Sequence, residues 1–226
     1  MAVFTDLFYL RIFTLGGIQK ALRSLPGPLL SMAGIGNMLI VIYHVGSVFN
    51  GLAVIITGNQ NAEYSVIDTA SQETYNSGKV SISPNTTLSW CGFSETGIPV
   101  TYDSLGILRA LIFNENAWVP ILDSKTVGTL ANDSCWAVGV TKTHFMCVLC
   151  RGDATPGFPT PLIHDFAIRL PVVCVETEVG KLEEKYLLTD FRLLHGRLLG
   201  VLTADQNIHE LEMDRHALHL ILVIRF

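Results

Sequence analysis

The fold is indicated most clearly by the stretch Leu88-Ser-Trp-Cys-Gly-Phe-Ser-Glu-Thr-Gly-Ile-Pro-Val-Thr-Tyr-Asp-Ser-Leu-Gly106. Its apolar and aromatic runs are short, and each is followed by a polar tetrapeptide that ends in glycine. Glycine supplies the positive φ that the last position of a tight turn often requires. We therefore predict structural turns at Gly97, Asp103 and Gly106.

The same rhythm continues beyond Gly106 and completes a unit of four predicted strands. These are residues 88–93, 99–102, 107–113 and 116–122. Four antiparallel strands in meander order within about 40 residues have the size of one β-propeller blade.

Similar short runs lie on both sides of this unit. The further predicted strands are 7–13, 18–25, 29–33, 38–45, 52–56, 135–140, 144–150 and 166–170. Residues 59–77 are predicted to form a long polar loop around a weak strand at 64–68. At roughly 42 residues per blade, the chain up to Val175 holds about four blades. A propeller ring usually contains more strands, so a partial propeller is expected.

After Glu176 the apolar periodicity changes from two to about 3.6 residues, which indicates helices. One predicted helical face contains Leu187, Phe191, Leu194, Leu198 and Val201. A second helix is predicted to begin at Thr203 or Asp205, either of which can cap it. Its apolar side contains Ile208, Leu211, Leu218 and Leu222. The expected fold is mainly β, with a partial propeller at 1–175 and the start of a truncated helical bundle at 176–226.

The composition prompts a test for a membrane span, because 49% of residues are hydrophobic, 15% are charged and the mean hydropathy is +0.41. Residues 36–58 carry no Asp, Glu, Lys or Arg, and a spanning helix needs about 20 such residues. However, Asn37 and Asn50 would be costly inside a bilayer, and flanking basic anchors are missing. Two strands joined by a turn at 46–51 fit better, and a single span at 36–58 remains the alternative.

The net charge of −5 argues against general affinity for nucleic acid, because binding the phosphate backbone needs clustered Lys and Arg. The N-terminus lacks the basic region of a signal peptide. Five cysteines, an odd number, then favour reduced thiols in an intracellular protein.

The nearest approach to a metal motif is His144, Cys147 and Cys150. A zinc site needs a second ligand pair at comparable spacing, and only Cys174 and His164 are available. In a strand, residues three apart also point to opposite faces. We therefore predict buried structural cysteines and no metal or cofactor.

No hydrolase, phosphate-loop, metalloprotease or dinucleotide motif occurs. His164 and Asp165 could form half of an acid–base pair, with Ser31 or Ser134 as nucleophile, but nothing in the sequence brings them together. A propeller glycosidase would need clustered carboxylates. The faint candidates are Asp103, Asp123 and Asp165, of which Asp103 is better explained by its turn.

Three tryptophans fall within predicted strands. Packing inside the blades is the simpler role for such residues, because an indole in a strand buries a large apolar area. The residues concerned are Trp90, Trp118 and Trp136.

Two further long segments are as distinctive as the opening stretch: Leu10-Arg-Ile-Phe-Thr-Leu-Gly-Gly-Ile-Gln-Lys20 and Leu25-Pro-Gly-Pro-Leu-Leu-Ser-Met-Ala-Gly34. Shorter ones are Trp118-Val-Pro-Ile121, Trp136-Ala-Val-Gly139, Leu170-Pro-Val-Val-Cys174 and Glu183-Glu-Lys-Tyr186. In this order they resemble the SepB domain of a eukaryotic replisome adaptor family. Its members are known as chromosome transmission fidelity, minichromosome loss or acidic nucleoplasmic DNA-binding proteins.

The resemblance implies a nuclear, non-enzymatic adaptor with a six-bladed second propeller, a helical bundle and a disc-like homotrimer. It also implies that the adaptor binds peptides from the GINS subunits of the replicative helicase and from DNA polymerase α, and that its association with chromatin is indirect. The family's peptide groove lies in helices beyond Phe226. No partner-binding residue can therefore be assigned in this chain.

Overall fold

A computed structural model of the chain describes residues 2–4, 8–45, 60–127, 133–151, 155–157, 162–173, 176–198 and 205–225. By its internal contacts the chain divides into two compact units. The first contains residues 1–92 with 101–105, and the second contains 93–100 with 106–226.

The first two sheets are antiparallel meanders within the first unit. The first sheet contains β1 (Ala2–Phe4), β2 (Tyr9–Phe13) and β3 (Gln19–Ser24). The second contains β4 (Leu29–Ile35), β5 (Met38–His44), β6 (Ala62–Asp68) and β7 (Thr74–Lys79). Alternate residues of a strand share a face, and the faces of β2, β5 and β6 form one apolar core. Its buried members are Leu10, Ile12, Leu39, Val41, Tyr43 and Ile67.

The third and fourth sheets are also meanders in chain order. The third contains β8 (Leu88–Phe93), β9 (Pro99–Asp103), β10 (Ile107–Ile112) and β11 (Ala117–Asp123). The fourth contains β12 (Asp133–Val140), β13 (His144–Arg151) and β14 (Ile163–Ala167). Within the second unit, a bridge between Ser94 and Val140 joins the β8–β9 turn to the end of β12.

Two helices follow the strands, α1 (Glu178–Leu198) and α2 (Asp205–Arg225). The hydroxyl of Thr177 accepts a hydrogen bond of 3.0 Å from the amide of Gly180 and so caps α1. An ion pair of 3.0 Å links Asp190 of α1 to Arg215 of α2. A ring contact between Tyr186 and His219 lies one turn away from this ion pair, and the opposite order of the two contacts along the chain shows that α1 and α2 pack antiparallel, with Leu218 buried.

The predicted fold class is confirmed: the chain is mainly β, with successive antiparallel meander sheets followed by two helices. The strands of the third sheet lie within about a residue of their predicted bounds, and α2 begins at Asp205, one of the two predicted positions. The predicted strand 52–56 and the turn at 46–51 lie outside the described residues. The boundary between 1–175 and 176–226 stays a prediction.

The interpretation of 59–77 as a loop around a weak strand is wrong. Residues 62–68 form β6, which pairs on one side with β5 and on the other with β7. Strand β7 has a mostly polar sequence that is typical of a loop. It can nevertheless form a strand, because an edge strand needs few apolar side chains. The prediction also omitted β1 and placed the last strand at 166–170, whereas β14 runs from Ile163 to Ala167 in register with β13.

The predicted apolar face of the first helix is also partly wrong. Leu187 is 38% exposed, whereas Thr189 and Leu193 are buried. Helix α1 packs against β10 as well as against α2. The buried face of α1 is set by both contacts, and it does not include Leu187. The side chains of 194–211 lie outside what the structure describes.

The alternative of a membrane span at 36–58 gains no support. Residues 38–44 form β5, which is paired with β4 and β6, and 46–58 lie outside the described residues. Among the helices described, none combines the length and the apolar character needed to cross a bilayer.

Candidate functional site

Asp103 occupies a buried polar cluster in the first unit. Its carboxylate is 1% exposed and accepts hydrogen bonds from the amide of Ser83 at 3.1 Å, the hydroxyl of Ser83 at 2.6 Å and the amide of Leu105 at 3.1 Å. Thr86 in turn donates to the carbonyl of Ser83 at 2.6 Å. Hydrogen bonds to a charged acceptor are stronger than neutral ones. The hydrogen bonds of this carboxylate therefore hold the segment around Ser83 against the end of β9.

The same local turn recurs at the ends of two other strands. Asp68 ends β6 and accepts from the amide of Ala70 at 2.7 Å, and Asp123 ends β11 and accepts from the amide of Lys125 at 2.9 Å. A side-chain oxygen that binds the amide two residues later forms an Asx turn. In the sequence, each of these turns is marked by an Asp followed by Ser or Thr directly after an apolar run. The sequence predicts a turn at Asp103, whereas the turns at Asp68 and Asp123 were not predicted.

Gly97 and Gly106 have φ angles of 80° and 100°. In this left-handed region a side chain clashes with the backbone, so both turns require glycine. The Gly97 turn is held by Ser94, whose hydroxyl accepts from the amide of Ile98 at 3.1 Å. It also contacts the β12–β13 turn, because the Glu95 carboxylate accepts from the amide of Lys142 at 3.2 Å.

The described cysteines carry no disulfide. Cys91, Cys147 and Cys150 are buried, and Cys135 is half-buried. A hydrogen bond with Cys135, burial and the neighbouring thiols raise the pKa of Cys147. Burial also raises the pKa of Cys91, although its hydrogen bond to Ser31 lowers it in part. In the described parts of the chain no cluster of His, Cys, Asp and Glu has the makeup of a metal site.

Within the second unit, the structure does not place the candidate nucleophile Ser134 beside His164. Ser31 accepts a hydrogen bond of 3.1 Å from the thiol of Cys91. His164 lies opposite Cys147 in the fourth sheet, and Ser134 lies opposite Cys150, about 10 Å farther along β13 at the usual rise of a strand. Asp165 is exposed, and it is the neighbour of His164 in a strand, so their side chains point to opposite faces.

The three tryptophans differ in their surroundings. Trp118 is buried, as predicted. Trp90 is half-buried, and its ring covers Gly92, where a Cβ would not fit. The expectation that Trp136 packs inside a blade is wrong, because this side chain is 48% exposed. It lies on the edge strand β12, whose alternation places it on the outward face of the sheet.

Trp136 belongs to an apolar row that crosses the fourth sheet. It pairs in register with Val148 of β13, which pairs with Ile163 of β14, so the three side chains share one face. Ile163 is 55% exposed, and the nearby Val138 is 45% exposed. We call this surface the outer row. Val148 between Trp136 and Ile163 is 6% exposed, so the exposed apolar side chains lie at the two edges of the sheet, on β12 and on β14. Exposed apolar surface is typical of interaction sites, so the outer row is the candidate interaction surface of the second unit.

A small cavity lies inside the second unit, between α1 and the strands. Its volume is about 40 Å³, and its apolar wall includes Ile98, Ala110, Ile121, Leu188 and Phe191. Small-molecule sites usually enclose roughly 300–1,000 Å³. This cavity can therefore accept a water or a methyl group, but no substrate, and it marks imperfect packing between α1 and the strands.

Comparison with known proteins identifies the family. The family described as Minichromosome loss protein, Mcl1, middle region matches residues 1–172. The chain is 33% identical over 189 residues to human WD repeat and HMG-box DNA-binding protein 1, covering 82% of this chain and 16% of that protein. It is 29% identical over 178 residues to Minichromosome loss protein 1 of Schizosaccharomyces pombe, covering 75% of this chain and 21% of that protein.

Among solved structures, the crystal structure of HIRA(644-1017) aligns with a TM-score of 0.47 and 14% identity, covering 100% of this chain and 61% of that chain. The chain spans only about a sixth to a fifth of the length of the two relatives above. The match to the family nevertheless covers most of the chain. The chain therefore belongs to the minichromosome loss protein (Mcl1) middle-region family.

Proposed function

We propose that this chain provides part of a non-enzymatic adaptor of the eukaryotic replication fork, acting in the nucleus in DNA replication and sister-chromatid cohesion. In this proposal the adaptor links the GINS subunits of the replicative helicase to DNA polymerase α by protein contacts. The observation that carries the proposal is the family match over residues 1–172.

Residues 1–175 are proposed to form part of the adaptor's second propeller, and 176–226 the start of its helical bundle. Meander sheets of three or four strands support the first assignment, and the packed α1–α2 pair supports the second. The named relatives are called a WD-repeat and HMG-box DNA-binding protein and a minichromosome loss protein, and neither name is that of an enzyme.

The chemistry of the described residues agrees with a scaffold. Within the second unit Ser134 and His164 lie opposite different residues of β13, and in the first unit the buried Asp103 serves a turn. The outer row offers an apolar contact surface, and the net charge of −5 favours protein partners over the DNA backbone. Binding without catalysis is the function that such a surface can supply.

The proposal can be tested by exchanging segments with the human relative. In nuclear extracts of replicating cells, the full-length relative should capture both GINS and DNA polymerase α, and a version lacking its matched segment should lose the link between them. Inserting residues 1–172 of this chain should restore the link, because the segment supplies the same scaffold.

A matched control carries Leu108→Asp in the inserted segment. Leu108 is fully buried in β10, so a charge there should unfold the sheet and abolish the restoration. The isolated chain is expected to capture neither partner, because the family groove lies in later helices. A folded chimera that fails to join the two partners would contradict the proposal, and capture by the isolated chain would show that the groove was misplaced.

A further inference from the structure

Two thiols of the fourth sheet lie next to each other on one face. In the antiparallel register Cys135 of β12 is opposite Leu149 of β13, and Ala137 of β12 is opposite Cys147 of β13. Alternate residues of a strand and the residues directly opposite them share a face, so these four side chains lie on the same side of the sheet. Cys135 and Cys147 are therefore diagonal neighbours on adjacent strands.

The two thiols also contact each other. A hydrogen bond with Cys135 is the largest of the causes that raise the pKa of Cys147. Such a bond raises the pKa of a thiol when the thiol donates it, because the bond then stabilises the protonated form. Cys147 is therefore the donor and the sulfur of Cys135 the acceptor. An accepted hydrogen bond favours the thiolate, which is the nucleophilic form of cysteine.

Exposure to solvent distinguishes the two thiols in the same sense. Cys135 is half-buried on the edge strand β12, whereas Cys147 is 0% exposed on the central strand β13. A small oxidant from solvent can therefore reach the sulfur of Cys135 before that of Cys147. Redox-sensitive sites often combine an accessible thiol with a second thiol that reacts with its oxidised form.

The other two buried thiols have different surroundings. Cys150 lies three residues after Cys147 on the same strand, so it points to the opposite face. There its thiol donates to the carbonyl of Val148 at 3.8 Å. Cys91, in the first unit, donates to the hydroxyl of Ser31 at 3.1 Å.

From this arrangement we propose that Cys135 and Cys147 form a site of reversible oxidation by hydrogen peroxide. The thiolate of Cys135 attacks the peroxide, an S–O bond forms and the O–O bond breaks. The proton that Cys135 released converts the leaving hydroxide to water, and Cys135 becomes a sulfenic acid. Cys147 then attacks this sulfur and its proton leaves with the hydroxide as a second water, which completes the disulfide. Overall, the thiols lose two electrons and two protons, and one peroxide becomes two waters.

The diagonal spacing determines how readily this disulfide is reduced. Diagonal neighbours in a sheet are about 7–8 Å apart, whereas a disulfide usually joins Cα atoms no more than about 6.8 Å apart. Bond formation therefore requires a small shift of β12, which its edge position and the bulge between Ala137 and Gly139 allow. A disulfide formed at such a cost is easily reduced. This inference concerns only the second unit and does not rest on the proposed function.

Peptide mapping by mass spectrometry tests the proposal on the whole folded chain after treatment with hydrogen peroxide. The peptides that contain Cys135 and Cys147 should become linked, with the loss of two hydrogen atoms. Dithiothreitol should return both to the thiol form, because it supplies the two electrons and two protons. Cys91 and Cys150 should remain thiols in the folded chain.

Three variants separate the roles of the thiols. The matched control Cys150→Ser changes a buried cysteine on the opposite face of β13 and should leave the yield of the 135–147 disulfide unchanged. Cys147→Ala should stop the reaction at the sulfenic acid of Cys135, which dimedone traps. Cys135→Ser should leave Cys147 as a thiol, because the oxidant then meets no accessible sulfur beside it.

Circular dichroism checks that each variant is folded. Cys135→Ser alters a half-buried side chain on an edge strand, so it carries the test even if Cys147→Ala unfolds the sheet. Three results would each overturn the proposal: no 135–147 disulfide in the folded chain, a disulfide between Cys147 and Cys150 instead, or oxidation of Cys147 in Cys135→Ser as fast as in the unchanged chain.

Discussion

A buried carboxylate and a half-buried one can form the same turn and yet contribute differently to stability. Asp103 and Asp123 each end a strand and each accept the amide two residues later. Only Asp103 is buried and also binds both the amide and the hydroxyl of Ser83. Removing a buried acceptor leaves its donors unsatisfied, which costs more than the hydrogen bonds alone contribute.

We therefore expect Asp103→Ala to lower the free energy of unfolding by about 3 kcal/mol and Asp123→Ala by about 1 kcal/mol or less. The difference isolates the contacts with Ser83, because the local turn is common to both positions. Urea denaturation of the two variants measures it. Equal losses would show that the Ser83 contacts contribute nothing beyond the turn.

The thiols provide a second test at the residue scale. Hydrogen bonding with Cys135 and burial raise the pKa of Cys147, and burial raises the pKa of Cys91. A raised thiol pKa means that the neutral form is favoured in the folded state. Its stabilising contribution is therefore complete below the unfolded pKa, roughly 8.5, and is lost as the pH rises through the folded value.

Among the four cysteines that the structure describes, an alkylating reagent at pH 8 should modify Cys135 first, because it is half-buried, and should reach Cys91, Cys147 and Cys150 only after unfolding. Mass spectrometry with and without denaturant gives the order of labelling. Labelling of Cys147 as fast as Cys135 in the folded chain would contradict the assignment of Cys147 as a buried thiol.

At the scale of elements, local patterns predicted the third sheet and missed parts of the others. Strands β8–β11 alternate apolar residues between glycine turns, so their bounds follow from the sequence alone. Strand β7 is polar and depends on pairing with β6, a long-range contact that no local pattern encodes. The exposure of Leu187 likewise depends on which elements α1 packs against. The turn residues were therefore predictable, whereas the exposure of Trp136 was not.

The turns themselves can be tested with a pair of glycines. Gly106 has a φ of 100°, and Gly157 has no neighbour within 4 Å of an added Cβ and no positive φ. Gly106→Ala should lower stability by about 1–2 kcal/mol through backbone strain. Gly157→Ala should change it by about 0.5 kcal/mol or less. Thermal unfolding compares the two, and equal effects would show that the turn tolerates a side chain.

At the scale of the whole molecule, the apolar composition has a structural cause. The charge-poor residues 38–44 form a paired strand, and some of the exposed apolar residues lie on the outer row and on α2, while others lie at Leu15, Ile18 and Leu162. A net charge of −5 disfavours general binding to a phosphate backbone. The human relative is named for DNA binding and an HMG box, and this chain spans 16% of it.

We expect the chain to bind duplex DNA more weakly than about 10⁻⁴ M at physiological salt, because it would release few counterions. Fluorescence anisotropy with labelled duplex, repeated at low salt, measures this. Micromolar binding with a steep salt dependence would contradict it, since such binding needs several phosphate contacts that the charge of this chain does not provide.

The central claim, that residues 1–172 serve as a scaffold of the replication adaptor, is tested most directly in cells depleted of the human relative. The measurement is the rate of DNA synthesis after expressing the chimera that carries this segment. The account predicts that the chimera restores synthesis and that the same chimera with Leu108→Asp does not. A folded, nuclear chimera that leaves synthesis as low as in the depleted cells would contradict the claim.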